Sequence, residues 1–134
     1  MANTYNVFIS HSWDYVDDLK NLRNMLESRG YFHVNFMETP PHDPINSTNS
    51  AYVKSVIKNH IKNSNVVIGI AGGYASQSEW MRWELDTAIS DGIPVLGVIP
   101  WGQINVSKVV QERATEIVRW NTESIVDAIR RIGK

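Results

Sequence analysis

Cysteine is absent from this chain of 134 residues. That absence excludes a disulfide scaffold, thiolate zinc sites, iron–sulfur clusters and cysteine nucleophiles. A strong charge of either sign is also missing, because 13 Lys and Arg side chains stand against 14 Asp and Glu side chains, for a formal net charge of −1. We therefore expect no global electrostatic attraction to nucleic acid or to an anionic membrane.

Long hydrophobic runs are missing as well. The longest, residues 66–71, is far shorter than the roughly 18 residues that a membrane-spanning helix needs. The opening residues MANTYN have neither the basic flank nor the apolar stretch of a signal peptide. The histidines have no spacing typical of metal ligands; they are His11, His33, His42 and His60. We expect a cytoplasmic protein with no metal site and no membrane or nucleic-acid partner.

What the chain does have is a pattern of strands alternating with helices. Hydrophobic residues make up 43% of it, and its length suits one domain over residues 1–134. The predicted strands are residues 5–10, 31–37, 65–71, 94–99 and 116–120. The predicted helices are residues 13–29, 51–63, 79–90, 106–113 and 122–132. The alternation predicts a three-layer α/β fold, a flavodoxin-like five-stranded parallel sheet in the order 2-1-3-4-5 with helices on both faces.

Ligands of such folds bind beyond the carboxyl ends of the strands. The polar or flexible residues that the pattern places at this edge are Ser10, His11, Ser12, Gly72, Gly73 and Tyr74. The loop 38–50, which contains three prolines and Asp43, follows the second strand and is long enough to suggest a functional role. The amides of Gly72 and Gly73 could approach a phosphate, although a plain turn with positive φ explains the pair equally well.

The helix after these glycines is the most informative segment. Its predicted core-facing stripe consists of Met81, Leu85, Ala88 and Ile89. Trp80 and Glu84 lie four residues apart and so share a neighbouring face. An indole one turn from a carboxylate can stack on a planar ring while the acid reaches the attached sugar. The alternative is a surface glutamate with a tryptophan that covers neighbouring loops.

Two other chemistries lack their motifs. A Ser–His–Asp hydrolase of the nucleophile-elbow type needs a G-x-S-x-G sequence, which the chain does not contain. A phosphoacceptor receiver domain shares the predicted fold but needs an aspartate at the end of the third strand. Residues 71–73, Ala-Gly-Gly, stand there instead.

Three segments, in order along the chain, resemble the TIR-domain superfamily, specifically the short bacterial TIR-like domains (ThsB-like) of Thoeris anti-phage systems. They are YNVFISHSWDYVDD, SNVVIGIAGGYASQSEWMRWELDTAISDGIPVLGVIPWGQ and TEIVRWNTESIVDAIR. The first is similar to the family's first box, the second to its third strand, catalytic helix and fourth strand, and the third to its terminal strand and helix.

The resemblance implies an enzyme that takes NAD⁺ as its substrate, with no further cofactor, and cleaves the nicotinamide–ribose bond. TIR enzymes carry a glutamate within a pattern like S-x-W-x-x-x-E, which falls on Glu84 in this sequence. Glu84 would hold the ribose hydroxyls and stabilise an oxocarbenium-like transition state. Trp80 or Tyr74 would stack on the nicotinamide or ribose.

The remaining edge residues receive roles as substrate contacts under the same resemblance. The Gly72 and Gly73 amides, with the side chains of residues 10–12 (Ser10, His11 and Ser12), would receive phosphate and ribose oxygens. Asp43 would contact the adenine side. A Thoeris-type domain would release an ADP-ribose-derived messenger, cyclic or conjugated, that diffuses to a separate effector. A phage protein as trigger and TIR–TIR self-association on activation are also implied.

Two alternatives stay open. A catalytically silent TIR-like scaffold would work by self-association alone. A nucleoside-deoxyribosyltransferase-like enzyme would use related glycosidic chemistry, but it normally needs a further acidic nucleophile, which the sequence does not clearly provide.

Overall fold

Strands and helices alternate along the part of the chain that the structure describes. The computed structural model describes residues 4–10, 16–30, 32–37, 50–72, 79–100 and 106–133. The strands are β1 (Thr4–Ser10), β2 (His33–Met37), β3 (Val66–Ile70), β4 (Val95–Ile99) and β5 (Glu116–Arg119). The helices are α1 (Val16–Glu27), α2 (Ser50–Lys62), α3 (Glu79–Ser90), α4 (Lys108–Arg113) and α5 (Thr122–Ile132).

The strands form one parallel sheet in the order β2-β1-β3-β4-β5. This order confirms the predicted flavodoxin-like topology. The predicted element bounds are correct to within one or two residues wherever they fall on described residues. The predicted start of α1 at residue 13 and the loop 38–49 lie outside the described residues.

Helices cover both faces of the sheet and create two hydrophobic cores. On one face, α2, α3 and α4 pack over Phe8, Val67 and Val95. On the other, α1 and α5 pack over side chains such as Val7 and Ile68. All five residues of β3 and of β4 are buried, as expected for parallel strands that are covered on both sides.

The buried stripe of α3 is rotated from the predicted one. Met81, Leu85 and Ala88 are fully buried, as predicted, but Ile89 is 50% exposed, so its assignment to the core was wrong. At 3.6 residues per turn, Ile89 lies about 80° around the helix axis from Met81. The side chains of Trp80 and Glu84, on the other side of Met81, are buried instead.

Two local features at the ends of helices follow from the residue types that stand there. Asn121 caps α5, where its side-chain oxygen accepts a hydrogen bond of 3.0 Å from the backbone N–H of Ser124. After α3 the chain turns at Gly92, whose φ of 73° is a left-handed conformation that favours glycine.

None of the described helices combines the length and the apolar character that crossing a bilayer would require.

Candidate functional site

Because of the pleat of the sheet, Ser10, the last residue of β1, points toward α3. Side chains alternate between the two faces of a strand. Phe8 belongs to the core beneath α2 and α3, so Ser10, two residues later, points the same way. In the parallel register Ser10 lies beside Gly69 of β3, which in turn lies beside Gly97 of β4. Three small residues therefore form a row across the sheet under the helices.

This small-residue row (Ser10, Gly69 and Gly97) lets the helices pack closely. A Cβ atom at Gly69 would lie 3.4 Å from a methyl group of Leu85 on α3. A Cβ atom at Gly97 would lie 2.9 Å from a methyl group of Val110 on α4. The space that larger residues would occupy is filled by helix side chains, so the row sets how near α3 comes to the sheet.

Glu84 contacts Ser10, which stands at one end of this row. The Ser10 hydroxyl donates a hydrogen bond of 2.7 Å to Oε1 of Glu84. Both residues are buried: Ser10 is 0% exposed and Glu84 is 4% exposed. Burial raises the pKa of the Glu84 carboxyl to about 8, because a charged carboxylate loses hydration there, while the bond from Ser10 acts in the opposite direction. A carboxyl pKa raised this far is typical of groups at functional sites.

Aromatic side chains line the same helix. Trp80 is 9% exposed and belongs to the core beneath α2 and α3. Its ring meets that of Trp83 edge-to-face, with the ring centroids 5.8 Å apart. The Nζ atom of Lys54, on α2, lies 5.6 Å from the centroid of the Trp83 ring. Trp80 and Glu84 are thus both buried on α3, and Trp83 contacts α2 through Lys54.

An ion pair fixes α3 on the side of α4. Nε of Arg113 lies 2.6 Å from Oδ1 of Asp86, and another nitrogen of Arg113 donates to the carbonyl of Val109. With the bond from Ser10 to Glu84, α3 is tied to β1 and to α4 through residues two positions apart. Rotation of the helix about its axis is therefore restrained around Glu84.

The predicted site residues divide into those that the structure describes and those that it does not. Ser10 and Glu84 are in direct contact, Trp80 is buried one turn away on α3, and Gly72 is buried just beyond the end of β3. The other predicted substrate contacts lie outside the described residues: His11, Ser12, Asp43, Gly73 and Tyr74. The alternative of a surface glutamate at position 84 was wrong, since this side chain is buried.

One further hydroxyl lies at this edge that the sequence analysis did not single out. Ser107 is 2% exposed, and its backbone N–H donates a hydrogen bond of 3.2 Å to the carbonyl of Ala71 at the end of β3. Its position directly before α4, beyond the carboxyl end of β4, was the signal available in the sequence.

Two hollows that described residues line lie away from Glu84. One of about 420 Å³ is lined by residues at the amino ends of β1 and β2, including Thr4 and His33. Glu84 instead meets the carboxyl end of β1. Within the described ranges, no three His, Asp or Glu side chains are grouped as they would be around a metal ion. The chemistry that this site offers is that of one buried carboxyl group bound by a hydroxyl.

The sequence matches the model of a known family, and the fold is similar to that of several solved structures. The model of the family described as Thoeris protein ThsB, TIR-like domain, matches residues 8–105. No curated protein sequence is significantly similar to the chain.

Solved structures with a similar fold include a 2-deoxyribosyltransferase from the psychrotolerant bacterium Bacillus psychrosaccharolyticus, at 18% identity and a TM-score of 0.61, over 91% of this chain and 90% of that one. The CMP N-glycosidase BcmB of Clostridium botulinum is 12% identical with a TM-score of 0.56, over 93% and 98%. The TIR domains of the activated Roq1 resistosome, which recognises the pathogen effector XopQ, are 14% identical with a TM-score of 0.54, over 95% and 70%.

Proposed function

Because the chain belongs to the ThsB TIR-like domain family of Thoeris proteins, we propose that it cleaves the nicotinamide–ribose bond of NAD⁺ and makes a signalling nucleotide derived from ADP-ribose. The observation that carries this proposal is the buried carboxyl of Glu84, held by Ser10 at the carboxyl edge of the sheet. This is the edge at which open parallel sheets bind their ligands.

One carboxylate is sufficient for the reaction. The bond from ribose C1′ to the nicotinamide nitrogen breaks, and its electron pair returns to that nitrogen, so nicotinamide leaves as a neutral molecule without needing a proton. Positive charge then develops on the ribose, as in glycoside hydrolysis. A carboxylate fixed beside that sugar in a water-poor site stabilises the charge more strongly than it would in water. An acceptor oxygen or nitrogen then forms the new bond to C1′, and one proton passes from the acceptor group to solvent.

The protonation state of Glu84 enters this mechanism directly. With a pKa of about 8, the carboxyl is mostly neutral in the free protein at pH 7. The cationic nicotinamide riboside portion of NAD⁺ favours the carboxylate as it binds, because opposite charges stabilise each other strongly where water is excluded. We therefore expect kcat/KM to rise with pH through the region near 8.

Other edge residues complete the proposed site. Trp80, one helical turn from Glu84, or Tyr74 would stack on the nicotinamide or ribose. Gly72 and Gly73 offer backbone amides to the phosphates, together with His11 and Ser12. Asp43 would contact the adenine side. Of this set the structure describes Trp80 and Gly72.

Two of the similar folds support glycosyl chemistry. The names 2-deoxyribosyltransferase and CMP N-glycosidase both denote proteins that act on glycosidic linkages. The proposed reaction also breaks a bond between a sugar carbon and a ring nitrogen. A fold of this kind can therefore support chemistry of the proposed class, although function is decided by the site and not by the fold.

The proposed product links the reaction to defence. Exclusion of water from the site makes hydrolysis less favourable than attack by an internal group or by a second small molecule. Such attack yields a cyclic or conjugated ADP-ribose. This messenger diffuses to a separate effector. A phage protein acts as the trigger, and TIR–TIR self-association accompanies activation. The presence of TIR domains in the activated Roq1 resistosome supports the last point.

The test is nicotinamide release from NAD⁺, with separation of the products by chromatography. We expect Glu84→Gln to lose at least about 100-fold in kcat, because a neutral amide does not stabilise the developing charge. Glu27→Gln, the same chemical change at an exposed position on α1, serves as the matched control and should retain full activity.

The wild type is assayed alone, at concentrations that drive assembly, and with a phage lysate. Absence of nicotinamide release under all three conditions contradicts the proposal and leaves the scaffold function in its place. Equal activity in wild type and Glu84→Gln contradicts the assigned role of the carboxyl.

A further inference from the structure

Ser10 is a predicted substrate contact whose hydroxyl already binds another side chain of the protein. A serine hydroxyl has one proton to donate. In this structure that proton is donated to Oε1 of Glu84, at 2.7 Å, and the serine is 0% exposed. The same proton cannot also be donated to a phosphate or ribose oxygen of a ligand.

We propose that Ser10 is a positioning residue, which acts through Glu84 and not by binding substrate: its hydroxyl fixes the orientation of the catalytic carboxyl at the end of β1. This inference rests on the proposed function of Glu84. It replaces the role of substrate contact that the sequence suggested for Ser10.

The backbone on both sides of the contact is fixed, which suits a positioning role. Ser10 is the last residue of β1 and pairs with Gly69. Glu84 lies on α3, whose Leu85 packs at the position where Gly69 has no side chain. On its far side, α3 is held by the ion pair of Asp86 with Arg113. The hydroxyl therefore meets a carboxyl that has little freedom to move away.

The bond selects one of the two carboxyl oxygens. Ser10 binds Oε1. This bond restricts the orientation of the carboxyl plane, and Oε2 is not part of it. A ribose hydroxyl that binds to Glu84 would then meet a carboxyl whose rotation about its last side-chain bond is already restricted. Such preorganisation lowers the barrier of the chemical step more than it improves ground-state binding.

The bond also favours the charged form of the carboxyl, against the effect of burial. Among the described residues, two charged groups on the neighbouring elements are engaged elsewhere: Lys54 lies over Trp83, and Arg113 binds Asp86. The other charged side chains of α3 and α4 on this side are exposed; they are Glu79, Arg82, Lys108 and Glu112. β1, β3 and β4 carry no acidic or basic side chain. The remaining basic residues of α2 lie toward its carboxyl end, at the opposite edge of the sheet; they are Lys58, His60 and Lys62. Within the described part of the chain, Ser10 is thus the side chain whose removal should change the titration of Glu84.

The first experiment is independent of activity. The carboxyl carbon of Glu84 is titrated by ¹³C NMR in the wild type and in Ser10→Ala, with the resonance assigned by its loss in Glu84→Gln. We expect the midpoint to move upward in Ser10→Ala and to stay near the wild-type value in Ser10→Thr, which keeps the hydroxyl. Ser64→Ala is the matched control, because Ser64 is also buried and donates to a backbone carbonyl, that of His60, at 2.7 Å. An unchanged midpoint in Ser10→Ala overturns the inference.

The second experiment is kinetic. With NAD⁺ as substrate, we expect Ser10→Ala to lower kcat by about 10–100-fold, the effect of removing one hydrogen bond to a charged group. KM should change little, and the rising limb of the pH profile should move to higher pH. Ser10→Thr should recover most of kcat, and Ser64→Ala should resemble the wild type.

The two experiments separate this inference from the proposed function. A rise in KM with kcat and pH profile unchanged would identify Ser10 as a substrate contact and overturn the positioning role. If the wild type does not cleave NAD⁺, the proposed function fails, whereas the NMR titration still decides whether Ser10 controls Glu84. If Ser10→Ala does not fold, Ser10→Gly removes the same hydroxyl: a raised midpoint in that variant supports the inference, and an unchanged one overturns it.

Discussion

A carboxylate taken out of water destabilises the folded state unless something compensates for its lost hydration, and Glu84 is such a group. It is 4% exposed and accepts a hydrogen bond from one hydroxyl, that of Ser10. A glutamine would fill the same volume without this cost. A buried charge that weakens the fold is more readily explained by chemistry than by packing.

This cost predicts an unusual pH dependence of stability. The folded-state pKa of Glu84, about 8, lies above the ordinary value of 4.5. The stability that its neutral form provides is therefore fully present below pH 4.5 and is lost as the pH rises through 8. The shift corresponds to at most about 4–5 kcal/mol in the free energy of unfolding.

Urea unfolding between pH 5 and 9 measures this effect. We expect the free energy of unfolding of the wild type to fall relative to that of Glu84→Gln as the pH increases, with the variant more stable above pH 8. Glu27→Gln, at an exposed position, should follow the wild type throughout. Parallel curves for wild type and Glu84→Gln would show that the carboxyl is not held in the buried environment described above.

At the scale of elements, the spacing between helix and sheet depends on residues with small side chains. Gly69 and Gly97 stand at matching positions in β3 and β4. In the middle of a strand, glycine is normally unfavourable because it has no side chain to pack. Here the vacant positions are filled by Leu85 and Val110 from α3 and α4, so these glycines allow close packing of helices on the sheet.

Adding one methyl group to this row tests that role. In Gly97→Ala the new Cβ would lie 2.9 Å from a methyl group of Val110 and 3.1 Å from a side-chain carbon of Ile117. We expect a loss of about 1–3 kcal/mol in the free energy of unfolding, as for other overpacked cores, measured by urea titration. In Gly30→Ala the new Cβ meets nothing within 4 Å, so this control should be neutral or slightly stabilising. Similar losses in both variants would mean that packing is not the cause.

At the scale of the whole molecule, one sheet separates two hydrophobic cores. The core beneath α2, α3 and α4 includes the site residue Trp80, whereas the core beneath α1 and α5 lies on the far face. Ion pairs connect elements around the periphery, such as Arg29 with Glu123 and Arg131 with Glu116. Surface pairs of this kind contribute little individually, so cohesion between the layers rests mainly on the shared sheet.

Small changes in the two cores should therefore act independently. Ile57, in the first core, and Ile129, in the second, are both fully buried. We expect Ile57→Val and Ile129→Val each to lower the free energy of unfolding by about 0.5–1.5 kcal/mol. The double variant should lose their sum to within about 0.5 kcal/mol, in a single cooperative urea transition. A large departure from additivity would show coupling across the sheet.

Much of this architecture could be predicted from the sequence because it depends on local patterns. The apolar runs of β3 and β4, the stripe of Met81, Leu85 and Ala88, and the cap at Asn121 all act within a few residues. Alternation of such elements then restricts the fold to few topologies. The position of Glu84 on a helix that follows the third strand was also fixed by sequence.

The tertiary structure alone decided what surrounds Glu84. Ser10 and Glu84 are 74 residues apart, and their contact depends on the register of β1 beside β3 and on the rotation of α3 over Gly69. That rotation buried Glu84 and exposed Ile89, against the stripe predicted from spacing. Helical periodicity says which side chains share a face, but the depth to which a helix sinks on a sheet is set by the sizes of residues that are distant in the sequence.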